Sequence, residues 1–254
     1  MMLPKKYLDD ILIRMAHHST AIEGNTLTQY ETKSILLDGV IPKVMDEREF
    51  YEVKNYKKYI DFLMDNYHRD ISMDIIKDTH RLLLRDINDD AGSFKKIHNI
   101  ILGADFIPTE PYLVTEELKN WCDTLEYRLD ISDTIEEKIE VIMDQHLRFE
   151  RIHPFSDGNG RTGRALIVHS CLQQGIAPII INKEDRQEYM NLLSNKDVKG
   201  LATLGVDLYT LEKNRLEIIN QSELKERINP VTKSKENKRG MSLWSLILHI
   251  LRVV

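Results

Sequence analysis

Apolar residues recur along this chain at helical spacing. Leu8, Ile11, Leu12, Met15 and Ile22 share one face of a helix predicted over Tyr7 to Ile22. Thr28-Gln-Tyr-Glu31 is a capping-box pattern, and it opens a second helix that runs through Leu37 and closes at Gly39. Tyr56, Tyr59, Ile60 and Leu63 line a third helix from Phe50 to Tyr67. Ser72 is read as the cap of a fourth helix through Leu84, and Thr115 as the cap of a fifth through Leu129. Thr134 to Glu150 makes a sixth. Past a polar loop the apolar run Ala165-Leu-Ile-Val168 continues as a further helix, followed by helices at Glu184 to Leu193 and Val198 to about Asn220. The period breaks once, between Gly92 and Tyr112, where Lys96 to Pro108 reads as a short β-hairpin turning near Gly103. The fold class this predicts is all-α with one small hairpin.

The last stretch differs in kind. Asn229 to Gly240 is polar, basic and punctuated by Pro and Gly, and it reads as a linker. Ser242 to Val254 is apolar but too short for a bilayer, which takes about 20 residues. It reads as a peripheral helix.

Composition narrows the class. The chain has 254 residues, 42% hydrophobic, with a net charge of −6. That suits a globular protein with a real core. It argues against a general nucleic-acid binder, which carries a basic face. Cys122 and Cys171 lie far apart and outside any metal-ligand spacing, so they read as reduced core residues. The opening MMLPKKYLDD reaches acidic residues before any apolar run, unlike a secretory signal. The expectation is a cytoplasmic protein with no membrane and no nucleic-acid partner.

The chemistry concentrates in His153 to Arg164, HPFSDGNGRTGR. His153 is a base that works near neutral pH. Asp157 is a hard oxygen ligand suited to Mg²⁺. Gly158 and Gly160 let backbone N–H groups approach phosphate oxygens. The helix that starts there adds its free N–H groups and positive dipole end. Arg161 and Arg164, three apart, lie on one side of that helix and can both reach a phosphate chain. Phe155 is read as the loop's anchor in the core. The same residues fit G-x-G-x-x-G, but the apolar strand that a dinucleotide fingerprint needs before its first glycine is replaced by a charged stretch broken at Pro154. His146 is read as a packed core histidine. His17 and His18 are read as a solvated helix face.

HPFSDGNGRTGR resembles the signature of the Fic (filamentation-induced-by-cAMP) family, HPFxDGNGRxxR, at every fixed position. Leu147 to Ile152 resembles the helix that leads into the family loop, and Gly92-Ser-Phe-Lys95 with the following hairpin resembles the family's flap. Residues 1–215 or so are covered. The resemblance implies a Fic-type helical bundle with a small β-hairpin flap over the site. It implies transfer of AMP from ATP, with Mg²⁺, to a Ser, Thr or Tyr hydroxyl of a protein target or of the chain itself, releasing pyrophosphate. It implies His153 as general base and Asp157 as metal ligand. Phosphate contacts fall to Gly158, Asn159, Gly160, Arg161 and Arg164. Tyr189 is placed near the nucleotide base, and Ile100, Ile101 and Leu102 are the flap residues that dock the target by strand addition. Lys95 stands where many relatives carry Arg. Gly160 stands where the phosphate-transferring branch carries lysine.

Ser19-Thr-Ala-Ile-Glu23-Gly24-Asn25 resembles the family's inhibitory motif, (S/T)xxxE(G/N). The resemblance implies that Glu23, supported by Ser19, pairs with Arg164 and keeps it from the γ-phosphate. In some relatives this glutamate orients a water that removes AMP. The organisation read from all this is an inhibitory helix over 1–25, a catalytic domain over 26–221, and a linker with apolar tail over 222–254. The other readings carried forward are AMP removal, transfer of another nucleotide or phosphate group, and a silent nucleotide-binding module. A homo-oligomer is left open.

Overall fold

The computed structural model describes residues 3–99 and 106–228. Nine α-helices are described: α1 (Lys5–Ile22), α2 (Gln29–Lys33), α3 (Glu47–Asn66), α4 (Met73–Leu83), α5 (Val114–Asp130), α6 (Ile135–Ile152), α7 (Asn159–Gln173), α8 (Arg186–Asn195) and α9 (Val198–Ile228). No strand occurs among the described residues, so the molecule is all-α. The predicted hairpin turn, with Ile100, Ile101 and Leu102, lies outside them. So does the tail from 229 on. No described helix is long and apolar enough to cross a membrane. One compact unit spans Met1–Lys213.

Local signals set most helix starts. At α2 the Thr28 hydroxyl accepts from the Glu31 N–H and the Glu31 carboxylate accepts from the Thr28 N–H, a complete capping box. Thr134 and Glu137 repeat the device at α6. The second helix widens into a π-helical turn at Ser34–Asp38 and stops at Gly39, which takes φ 69°. Ser72 caps α4 through the Ile75 N–H. Thr115 is corrected: it lies inside α5, which begins at Val114 out of a 3₁₀ turn at Pro111–Leu113. Pro111 starts the helical path earlier, because its fixed φ is already helical and it has no N–H to satisfy.

α7 is the centre of the bundle. Every residue from Arg161 to Leu172 is buried. A helix with apolar residues all round must be covered on all sides, and α6, α4 and α1 pack around this one. Gly163 makes the α6 contact possible. A Cβ there would stand 2.6 Å from a Glu150 carboxylate oxygen and 2.9 Å from the His146 ring.

α1 packs on α3, α2, α7 and the 3₁₀ turn at Lys183–Asp185. This overturns the solvated reading of His17 and His18, which are both buried. Adjacent polar residues suggested an open face, whereas α1 is covered on several sides. His18 Nδ1 accepts the Lys183 backbone N–H at 3.2 Å. Burial, with His17 beside it, brings the His18 pKa down to about 4, so the ring stays a neutral acceptor. Midway along α1, Arg14 grips both oxygens of Glu212 on α9 at 2.6 and 2.7 Å, and near the start of α1 the Tyr7 hydroxyl donates to the same carboxylate at 2.6 Å. Breaking such a buried pair costs about 3–5 kcal/mol. At its end, Arg186 Nε donates to the Ile22 carbonyl at 2.8 Å. The helix carrying Ser19 and Glu23 is thus pinned at both ends.

Candidate active site

The loop between α6 and α7 takes its shape from packing beneath it. α6 ends at Ile152, and His153 caps it in the left-handed region at φ 50°, ψ 59°. That conformation is costly for a residue with a Cβ and persists only where the surroundings enforce it. Pro154, which cannot extend α6, follows at once. Phe155 is fully buried, its ring stacked on His80 at 3.7 Å and tilted against Phe94 at 5.5 Å. His80, on α4, accepts the Gly92 N–H on Nδ1 at 2.8 Å and so donates from Nε2 to the Asp157 carbonyl at 2.9 Å. Burial depresses its pKa to about 4 and keeps it neutral. Lys95 holds the other side: its N–H donates to the Pro154 carbonyl at 2.9 Å and its ammonium to Asn99 at 2.7 Å.

Asn159 does not present its side chain to a ligand. Its amide donates to the Phe155 carbonyl and accepts from the Phe155 N–H, both at 2.9 Å. In this arrangement the Asn159 side chain braces the loop across Phe155. Gly158 takes φ 76°, and a Cβ there would stand 2.5 Å from the Leu84 side chain, so glycine is required. The first bond within α7 comes from the Thr162 N–H to the Gly158 carbonyl at 3.0 Å. The N–H groups of Asn159, Gly160 and Arg161 precede it and have no partner within the helix, an arrangement that suits an anion.

His153 Nδ1 lies 3.2 Å from the Glu150 carbonyl. A carbonyl only accepts, so Nδ1 carries the proton and Nε2 is left as the basic atom. Burial lowers its pKa from the ordinary histidine value, and the Lys95 ammonium adds to this. The shift favours the base form at neutral pH. Any reaction using it should lose rate only as pH falls below the ordinary histidine range. A rate profile already halved near pH 7 would contradict this assignment.

Arg164 is a buried charge, 6% exposed. Its Nε donates to Ser19 Oγ at 3.0 Å, and one Nη donates to the Ser19 carbonyl at 2.9 Å and to Glu23 Oε1 at 2.6 Å. The same Glu23 oxygen stands 2.5 Å from where a Cβ on Gly160 would be, over the first turn of α7. Burial alone would raise the Glu23 pKa, yet Arg164 and Arg161 carry it below the usual carboxylate value. The carboxylate is ionised and sits where an anion would bind.

Asp157 and Arg161 are also paired. Asp157 accepts from Arg48 on α3 at 2.7 Å and from Arg161 at 3.2 Å, and Arg161 gives its other Nη to Glu52 at 2.9 Å. Beneath Arg164 lie His146, Glu150 and Tyr189. His146 Nε2 is 2.6 Å from the Tyr189 hydroxyl, with the rings stacked at 5.8 Å. Burial beside Arg164 brings the His146 pKa to about 3, and burial raises Glu150 to about 7. Tyr189 is 1% exposed. Its hydroxyl and ring are engaged with His146.

Sequence reasoning brought His153, Asp157, the glycines, Arg161, Arg164, Ser19 and Glu23 together, and they stand together here. It missed Arg48, Glu52 and His80. Arg48 and Glu52 are a charged i, i+4 pair that reads as an ordinary helix surface, and nothing around His80 marks it.

The comparisons agree with this picture. The Fic/DOC family profile matches residues 70–171. The chain is 33% identical over 177 residues to protein adenylyltransferase fic-1 of Caenorhabditis elegans, covering 68% of this chain and 34% of that protein. It is 28% identical over 202 residues to protein adenylyltransferase Fic of Nematostella vectensis, covering 77% and 46%. It therefore spans between a third and a half of the length of these relatives. A solved fragment of C. elegans Fic-1 superposes with a TM-score of 0.71 at 26% identity, covering 89% of this chain and 68% of that one. A Fic-domain signaling protein from Bacteroides thetaiotaomicron gives 0.69 at 22% identity, covering 83% and 90%. With its loop, its bundle and its relatives in agreement, the chain belongs to the Fic/DOC family.

Proposed function

We propose that the chain is a protein adenylyltransferase that α1 holds in check. One observation carries the reading: the arginine best placed for the outer phosphate of ATP is taken by Ser19 and Glu23, in the same loop that presents a neutral His153. A target hydroxyl near Nε2 of His153 gives up its proton there as its oxygen attacks the α-phosphorus. The bond from that phosphorus to the bridging oxygen breaks, and pyrophosphate leaves. The N–H groups opening α7 receive the charge that develops on the phosphoryl oxygens. The half-exposed Asp157 carboxylate at the loop's rim fits Mg²⁺, which takes one or two carboxylates and completes its shell with water and phosphate oxygens. When bound, the ion would neutralise phosphate charge. Arg164, once free, would fix the γ-phosphate and so set which face of the α-phosphate meets the hydroxyl.

The test is the position of the label. Glu23→Gly protein given α-labelled ATP should label itself or proteins of a lysate, whereas γ-labelled ATP should not. Transfer from the γ position would replace this reading with phosphate transfer. A second reading rests on Glu23 itself. An ionised carboxylate over the start of α7 is placed to orient a water for removing AMP. It predicts that the wild type releases AMP from an adenylylated protein and that Glu23→Gly does not.

A further inference from the structure

The second phosphate-facing arginine is restrained as firmly as the first. Arg161 is 2% exposed. Each of its Nη atoms is on a carboxylate, Glu52 at 2.9 Å and Asp157 at 3.2 Å. Arg48 closes the figure, donating from Nε to Glu52 at 3.1 Å and from Nη2 to Asp157 at 2.7 Å. Two cations and two anions form a neutral ring. In that arrangement Arg161 presents little charge to an arriving phosphate.

Glu52 is the fixed member of the ring. It is 6% exposed, while Asp157 and Arg48 lie at the rim. Its second oxygen accepts from Asn25 Nδ2 at 3.0 Å, and the same Nδ2 donates to the Glu49 carbonyl at 3.1 Å. Asn25 lies two residues beyond Glu23. Its own Oδ1 accepts the Leu27 N–H at 3.0 Å, and Thr26 is bonded to the Glu49 carboxylate through both its N–H and its hydroxyl, at 2.7 and 2.8 Å. The segment that carries the carboxylate on Arg164 is therefore knitted to the carboxylate on Arg161.

We propose that Glu52 is a second inhibitory carboxylate, acting on Arg161 as Glu23 acts on Arg164, with Asn25 as the link that makes the two act together. This rests on the reading of the loop as a nucleotide-phosphate site. Ring opening would free Arg161 for the phosphate beyond the α position. Replacing the carboxylate with an amide of the same shape removes the competing charge and leaves the packing in place. An anion then gains a partner that the protein no longer neutralises.

Binding of ADP and of AMP to the full chain, measured calorimetrically for wild type, Glu52→Gln and Asn25→Ala, tests this without any transfer reaction. ADP affinity should rise about tenfold in Glu52→Gln and about threefold in Asn25→Ala, a coupling of ordinary size between neighbouring sites. AMP affinity should stay within about twofold, because AMP lacks the phosphate that Arg161 would hold. A parallel shift of both nucleotides would overturn the proposal, since a merely structural Glu52 would do that. Loss of ADP affinity, or no change in either variant, would overturn it as well. Asn25→Ala leaves the ring's charges intact, so it decides the matter if Glu52→Gln proves unstable. A rise in ADP affinity without any AMP transfer by the Glu23→Gly protein would uphold this inference and sink the transferase reading separately.

Discussion

Replacing Glu23 by glycine should raise AMP transfer by roughly 10- to 150-fold. The estimate comes from what Glu23 holds. It accepts from Arg164 at 2.6 Å, and Arg164 is almost fully buried. Hydrogen bonds to charged groups contribute about 1.5–3 kcal/mol, which is the quoted range in rate if Arg164 must leave Glu23 before reaction. Two effects act together. Arg164 is released, and the start of α7 loses the anion that now sits over Gly160. Ser19 still holds Arg164 through its hydroxyl and carbonyl in this variant, so release is incomplete. Glu23→Gln separates charge from bulk: it keeps the side chain, loses the charge, and should give a smaller rise of the same sign. The measurement is label from α-labelled ATP on the protein itself. Equal label in wild type and both variants would mean that the pairing of Glu23 with Arg164 does not limit the reaction.

In the released background, His153→Ala should lower transfer by about 10²–10⁴-fold, the usual worth of a positioned general base. ATP binding should survive, because among the described residues the His153 ring is hydrogen-bonded to the Glu150 carbonyl and not to the N–H groups that open α7. The pairing of lost transfer with kept binding is the informative result. His153 sits in the left-handed backbone region at φ 50°. Substitution by alanine leaves a Cβ in that region, so the loop itself should not relax. Unchanged transfer would remove His153 from the chemistry and return attention to the hydroxyl's other neighbours.

Much of this site could be read from the sequence because its parts are local. Twelve consecutive residues, His153 to Arg164, supply base, carboxylate, glycines and arginines, and a loop followed by a helix keeps neighbours in sequence neighbours in space. The capping box at Thr28 works the same way, since both partners lie within three residues. Glu23 and Arg164 are 141 positions apart, and only the resemblance of STAIEGN to a known motif suggested their meeting. Residues joined by tertiary packing alone left no such trace. Arg48 and Glu52 have the spacing of a surface pair, and their role depends on where α3 crosses the loop. His80 is one histidine among nine until Phe155 stacks on it. His17 and His18 read as polar surface because polarity is visible in sequence and coverage by α3, α7 and a 3₁₀ turn is not. Tyr189 was assigned to the nucleotide by resemblance, and its burial under His146 could be seen only in three dimensions.

The central claim is that α1 withholds Arg164 from the nucleotide. It is tested most directly by crystal structures of wild type and Glu23→Gly, each with Mg²⁺ and a non-hydrolysable ATP analogue, comparing the distance from Arg164 to the γ-phosphate. The account predicts hydrogen-bond contact, about 2.7–2.9 Å, in Glu23→Gly. In wild type Arg164 stays on Glu23 and the γ-phosphate lies elsewhere. Arg164 on the γ-phosphate in both proteins, or a phosphate chain that avoids residues 158–164 altogether, would contradict it.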